Sequence, residues 1–164
     1  FSRSVLEALQ KGGADQTFVV VGHDPGPIMA HLCDRGPRFV YNRAWPKGQL
    51  TSLQAAIRAC PRVATGLLVA LVDQPGLRPS TVRRMIREHR RHRRSILVAS
   101  YQGRAGHPVI FPRRFFKDIL AAPLSEGARV VVQTHAAERV FVPTHDPAVV
   151  RDIDEVRQYR RLAR

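Results

Sequence analysis

The sequence predicts an α/β fold built on a doubly wound, mostly parallel sheet. Three observations lead there. The stretch Gly66-Leu67-Leu68-Val69-Ala70-Leu71-Val72-Asp73-Gln74-Pro75 holds six apolar residues in a row between Gly and Pro. Such a run reads as a strand buried on both faces, as in a parallel sheet. Shorter apolar runs at residues 17–22, 38–41 and 95–100 alternate with stretches of helical periodicity, the βαβ rhythm of a doubly wound sheet. Finally, 164 residues with 44% hydrophobic content suffice for one domain with a full core. That composition excludes a disordered basic tail, and the longest apolar run is far below the roughly 20 residues of a membrane span. No signal-peptide pattern is present.

Residues 2–11 carry Val5, Leu6 and Leu9 on one face and end at Gly12-Gly13, a short amphipathic helix. A buried strand at 17–22 precedes the turn His23-Asp24-Pro25-Gly26-Pro27. A helix at 28–33 and a strand at 38–41 follow. Residues 48–60 align Leu50, Leu53, Ile57 and Cys60 as a helical stripe that Pro61 stops. The long apolar strand comes next and ends on Asp73. Pro79 opens a helix with Val82, Met85, Ile86 and His89 inward, which runs into His89-Arg90-Arg91-His92-Arg93-Arg94. Residues 95–100 form a strand, Gln102-Gly103-Arg104-Ala105-Gly106 a polar glycine loop, and 107–111 a short strand. Helices are predicted from Pro112 towards Leu120 and from Ser125, then a strand at 139–142 and a terminal helix with Val156, Tyr159 and Leu162 at helical spacing. There is no repeat, no linker and no second domain.

The net charge of +14 and a pI near 11.4 favour polyanionic ligands such as nucleotides, pyrophosphate or nucleic acid. Of 27 basic residues only Lys11, Lys47 and Lys117 are lysines; the other 24 are arginines. The Arg/His run at 89–94 reads first as a solvated helix end complementing the helix dipole, and second as a polyanion patch. Aromatics make up only 7% and none interleaves that run, which argues against a single-strand nucleic-acid platform. Cys33 and Cys60 lack metal-ligand spacing and read as buried free thiols in a reducing compartment, hence a cytoplasmic protein.

The chemistry rests on carboxylates. Asp73 at the carboxyl end of a buried strand lies where open α/β sheets bind their ligands, or else it opens a turn before Pro75. Asp152 and Asp154 occupy a second predicted strand-to-helix junction. If the sheet joins the two sites, hard oxygen ligands converge, the kind that Mg²⁺ prefers alongside substrate phosphates. Otherwise the same aspartates cap helices and form turns.

The ordered segments Asn42-x-x-Trp45-x-x-Gly48-x-x-x-Ser52-Leu53, Val72-Asp73-Gln74-Pro75, Gly106-His107-Pro108-Val109-Ile110-Phe111-Pro112, Glu126-Gly127-Ala128-Arg129 and Asp152-Ile153-Asp154 resemble the molybdenum cofactor cytidylyltransferases, within the molybdopterin-type NTP transferases. The resemblance runs from Phe1 to about Leu162. The Asp-Gln-Pro and Gly-His-Pro segments look more like the cytidylyl branch than the guanylyl one.

This resemblance implies a three-layer α/β/α Rossmann-like fold of the nucleotide-diphospho-sugar transferase type. It also implies a reaction, in which the terminal phosphate of a molybdopterin cofactor attacks the α-phosphorus of CTP and pyrophosphate leaves. Asp73 and Asp154 would be the catalytic and Mg²⁺-holding carboxylates. Asn42, Gly48, Ser52 and Gln74 would bind the nucleotide; Gly106, His107 and Asp152 would line the second substrate's side. A structural role for His107 before Pro108, and for Arg129 at a helix start beside Glu126, stays open. A molybdoenzyme or its maturation factor is the implied protein partner. Alternatives are transfer of another nucleotide such as GMP, or a non-catalytic module binding polyanions.

The chain departs from the family pattern in three places. Glu155-Val156 stand where Thr-Pro is usual, and Gln49 where the cytidylyl branch generally has Met. The first strand and its glycine-rich, triphosphate-gripping loop have no counterpart in residues 1–164. The expectation is a single nucleotidyltransferase-like domain without that segment. Either the protein extends further upstream, or its grip on a triphosphate is impaired.

Overall fold

Strands and helices alternate along the chain as far as Tyr101 in the computed structural model, which describes residues 1–152. The strands are β1 (Phe18–Val21), β2 (Arg38–Tyr41), β3 (Gly66–Val69), β4 (Ile96–Tyr101), β5 (Arg104–Pro112) and β6 (Arg139–Thr144). The α-helices are α1 (Ser2–Lys11), α2 (Pro25–Leu32), α3 (Gln49–Ala59), α4 (Pro79–Arg91), α5 (Phe116–Ala121) and α6 (Arg129–Thr134). β1 and β2 form a parallel pair, and the other four strands a sheet in the order β3-β5-β4-β6.

Alternation along the strands sorts the core into two layers, as a pleated sheet requires. Ile96, Val98, Val109 and Phe111 pack with Leu50 and Ile57 of α3, Phe116 and Ile119 of α5 and Val131 of α6. Leu97, Ala99, Ile110 and Val142 face Met85 of α4 and Val149. The predicted α/β/α layering is therefore observed. Two helices tie the small sheet to the large one from opposite sides. On one side, α3 lies against β1 and β2 and joins the cluster containing Leu67 and Val69. On the other, α1 packs Val5 and Ala8 against Val82 and Leu68, while Gln10 donates to the Arg35 carbonyl beyond α2.

The sheet is mixed, where a mostly parallel one was predicted. β5 runs antiparallel to both β3 and β4, and β4 pairs parallel with β6. The cause is a two-residue hairpin turn: Gln102 and Gly103 both have positive φ, 48° and 78°, the conformation that folds a strand back on its neighbour. Only these two residues are the turn; Arg104, Ala105 and Gly106, read as loop, belong to β5.

The long apolar strand is also shorter than predicted. It leaves the sheet after Val69, which pairs with Val109, because the next partner would be Pro108, a residue with no N–H to donate. As an edge strand it is half-buried, and Val72 is exposed. Other boundaries shift for local reasons. A helix from Ser125 is blocked by Gly127 in the left-handed region at φ 67°, so α6 begins at Arg129. Pro112 closes β5 instead of opening a helix, and α5 follows a 3-10 turn at Arg113–Phe115. Cys33, expected buried, is exposed in the turn after α2; Cys60 is half-buried at the end of α3. Among the described residues no helix is long and apolar enough to cross a membrane. The predicted terminal helix and Asp154 lie outside the described residues.

Candidate active site

Two clusters collect the residues singled out in the sequence. The first lies beyond the end of β3. Gln74 is buried and its side-chain amide reaches 78 residues along the chain, donating to Asp152 Oδ1 at 2.9 Å and to the Val149 carbonyl at 3.5 Å. Asp152 itself is exposed. His107, half-buried in β5, has its imidazole pushed below the ordinary range by burial, an effect opposed by the nearby carboxylates of Asp152 and Asp73. His107 is thus within electrostatic reach of both aspartates. Gly106 has a steric reason to be glycine: a Cβ there would lie 1.8 Å from the Val149 carbonyl oxygen. The strand and the Pro147–Val150 turn can meet only without that side chain.

One residue of this cluster went unremarked in the sequence. Asp146 is 2% exposed and accepts three hydrogen bonds. Its Oδ2 takes the Arg78 N–H at 2.9 Å and the Thr81 hydroxyl at 2.8 Å, and its Oδ1 takes the Ala148 N–H at 3.1 Å. It thereby caps the start of α4 from 65 residues away and fixes the segment bearing Asp152 to the segment bearing Asp73 and Gln74. The signal was an Asp immediately before Pro147, a common turn and cap pattern. Nothing in the sequence pointed to its distant partners.

The second cluster sits at the carboxyl end of the β1–β2 pair. The Asn42 N–H bonds the Val21 carbonyl, joining the two strand ends. Its buried side chain donates to Thr51 Oγ1 at 2.8 Å and Ser52 Oγ at 3.1 Å, and accepts the Ala44 N–H at 2.9 Å. Asn42 and Ser52 therefore hold the 44–48 loop against α3. Gly48, at φ 108°, is the N-cap of α3, and no side chain caps that helix end. The left-handed φ favours glycine. Trp45 starts a 3-10 turn in this loop and is 43% exposed.

Among the described residues, no group of three or more His, Cys, Asp or Glu side chains is arranged to hold a metal by itself. What the first cluster offers is carboxylate oxygens near an imidazole.

Residues 1–140 match the family described as the MobA-like NTP transferase domain. The chain belongs to that family. It is a nucleotidyltransferase-type enzyme, as the sequence motifs implied. The nicotine blue oxidoreductase of Paenarthrobacter nicotinovorans is 30% identical over 95% of this chain and 79% of its own length. Rv0371c of Mycobacterium tuberculosis, solved as a complex with manganese, is 25% identical with a TM-score of 0.74. The match covers 98% of this chain and 83% of that one. A nucleotidyl transferase from Methanothermobacter thermautotroptrophicus shares the fold, with a TM-score of 0.79 at 21% identity over 98% of this chain and 77% of its own.

Proposed function

We propose that this MobA-like enzyme transfers CMP from CTP to the terminal phosphate of a molybdopterin-type cofactor, releasing pyrophosphate. The observation that carries the reading is the convergence of Asp73, Gln74, His107 and Asp152 beyond the end of β3. A family of NTP transferases needs carboxylates where an α-phosphate and its leaving group meet. The donor chemistry fits Mg²⁺, which binds through one or two carboxylates and completes its shell with water and phosphates. Asp73 would hold it with Asp154, Asp152 lying alongside; a relative's manganese complex supports a divalent ion in this family. When bound, the ion would neutralise charge on the α-phosphate and on the departing pyrophosphate.

The chain's own residues position the reactants. Gln74 fixes the Asp152 carboxylate through its amide. His107, within electrostatic reach of Asp73 and Asp152, would lie on the acceptor's side. Asn42 and Ser52 shape the loop that leads to Gly48, and the uncapped N-terminus of α3 offers its free N–H groups to a phosphate. β1 and β3 each have one edge without a strand partner among the described residues. We read one of these edges as suited to a further strand with a triphosphate-gripping loop. The favoured setting is the cytoplasm, with a molybdoenzyme or its maturation factor as the receiving partner.

Isothermal titration with Mg-CTP and Mg-GTP tests the reading on the full-length protein. Binding of CTP in preference to GTP is expected; binding of neither overturns it. A second reading, oxidoreductase chemistry, comes only from the 30% identical relative's name. Pyrophosphate release separates the two, since a redox reaction yields none.

A further inference from the structure

The sole tryptophan of the chain is an exposed indole held in a defined position beside the nucleotide half of the proposed site. Gly22, directly after β1, makes room for it: a Cβ on Gly22 would lie 2.6 Å from Trp45 Cβ and 2.7 Å from Cγ. The imidazole of His23 stands 5.1 Å from the indole, centroid to centroid, tilted by 46°. The backbone of Trp45 is fixed at both ends. Its N–H bonds the Asn42 carbonyl at 3.4 Å, and its carbonyl accepts the Gly48 N–H at 3.1 Å. Yet 43% of the residue remains in solvent, and Tyr41 at the end of β2 is 56% exposed.

An ordered, solvent-facing indole backed by a second ring is costly to leave wet and well suited to stacking, because its rigid plane loses little freedom on binding. We propose that Trp45, backed by His23, is a stacking platform for a planar heteroaromatic ring. The inference rests on reading the β1–β2 end as the nucleotide side of the site. Two sources carry such a ring in the proposed reaction, the base of the nucleoside triphosphate and the pterin of the acceptor. The position next to Asn42 and Gly48, and so next to the uncapped end of α3, favours the base. The role explains why Gly22 precedes His23: a larger residue would push the indole off its seat.

Within residues 1–164 Trp45 is the one tryptophan, and the difference in fluorescence between the parent and Trp45→Phe reports the contact. Titration of the full-length protein with CTP, with GTP, with free pterin, and with inorganic triphosphate as the ring-free control is the test. Saturable quenching by a ring-bearing ligand but not by triphosphate is expected; quenching by CTP assigns the base, and quenching by pterin alone assigns the acceptor. Calorimetry on variants supplies the second readout. Trp45→Phe should bind within about threefold of the parent, and Trp45→Ala between about 5-fold and 100-fold more weakly, as for loss of one stacked base. No quenching by any ring-bearing ligand, or unchanged affinity in a folded Trp45→Ala, overturns the platform. If quenching is seen but the wild type releases no pyrophosphate from any nucleoside triphosphate, the platform stands and the transferase reading fails.

Discussion

The two clusters of the site are built in opposite ways. Around Asp73, most side-chain locks are long-range: Gln74 reaches Asp152, Asp146 reaches Arg78 and Thr81, and Gly106 admits Val149. Around Gly48, most locks are local: Asn42 binds Ala44, Thr51 and Ser52, all within 10 residues, and the loop tip is exposed. The first arrangement is rigid only when three distant segments are already folded together, as the proposed alignment of reacting groups would require. The second can form early and leaves a surface open to an incoming ligand. The difference teaches where damage should fall: on turnover in the first cluster, on binding in the second.

Substitutions that break the first cluster carry the largest effects. Asp73→Ala should lower turnover by roughly 10³-fold or more, since a preorganised charge is lost, with the circular dichroism spectrum checking that the fold is kept. Retained activity would remove Asp73 from the site. Gln74→Ala unfastens Asp152 and should reduce kcat by about 10- to 100-fold with a smaller change in KM for the nucleotide, the usual penalty for losing a group that orients a charged ligand residue. Equal loss in kcat/KM with kcat unchanged would instead make Gln74 a binding residue.

Asp146→Ala removes an acceptor from three donors, one buried and two part-buried, and should destabilise the fold by about 2 kcal/mol, read as a lower urea midpoint at unchanged slope. If stability is unaltered, the tie between α4 and the Asp152 segment is not holding them. The smallest effect sharpens the comparison from outside both clusters. His89 is buried against Thr65, and burial, helped by the Arg93 charge, pushes its imidazole below the ordinary 6.5. The unfolded chain therefore takes up that proton more readily than the folded one. Stability should be full above pH 6.5 and fall as pH drops below it, and His89→Gln should flatten that acid limb. An unchanged limb would assign the acid loss to other groups.

The fold was largely legible because its signals are local. Apolar runs gave the strands, and the stripe Leu50, Leu53, Ile57 gave α3 with nearly the observed ends. What was not legible is the pairing. Nothing in residues 66–75 announces that Pro108, some 38 positions on, ends the ladder after Val69. The hairpin turn was visible only as polar residues, because the positive φ of Gln102 is not a property glutamine advertises. In the site, motif order brought forward Asp73, Gln74, His107 and Asp152, which the fold does gather. It pointed to Asn42 and Ser52 without revealing that their side chains grip each other. Asp146 was missed because a buried cap supplied from another segment has no spacing signature.

The most direct test of the central claim is pyrophosphate release by the full-length wild-type enzyme with Mg²⁺ and a molybdopterin-type acceptor, scored across CTP, GTP, ATP and UTP. Release that requires the acceptor and is fastest with CTP is predicted. No release from any of the four triphosphates would contradict it.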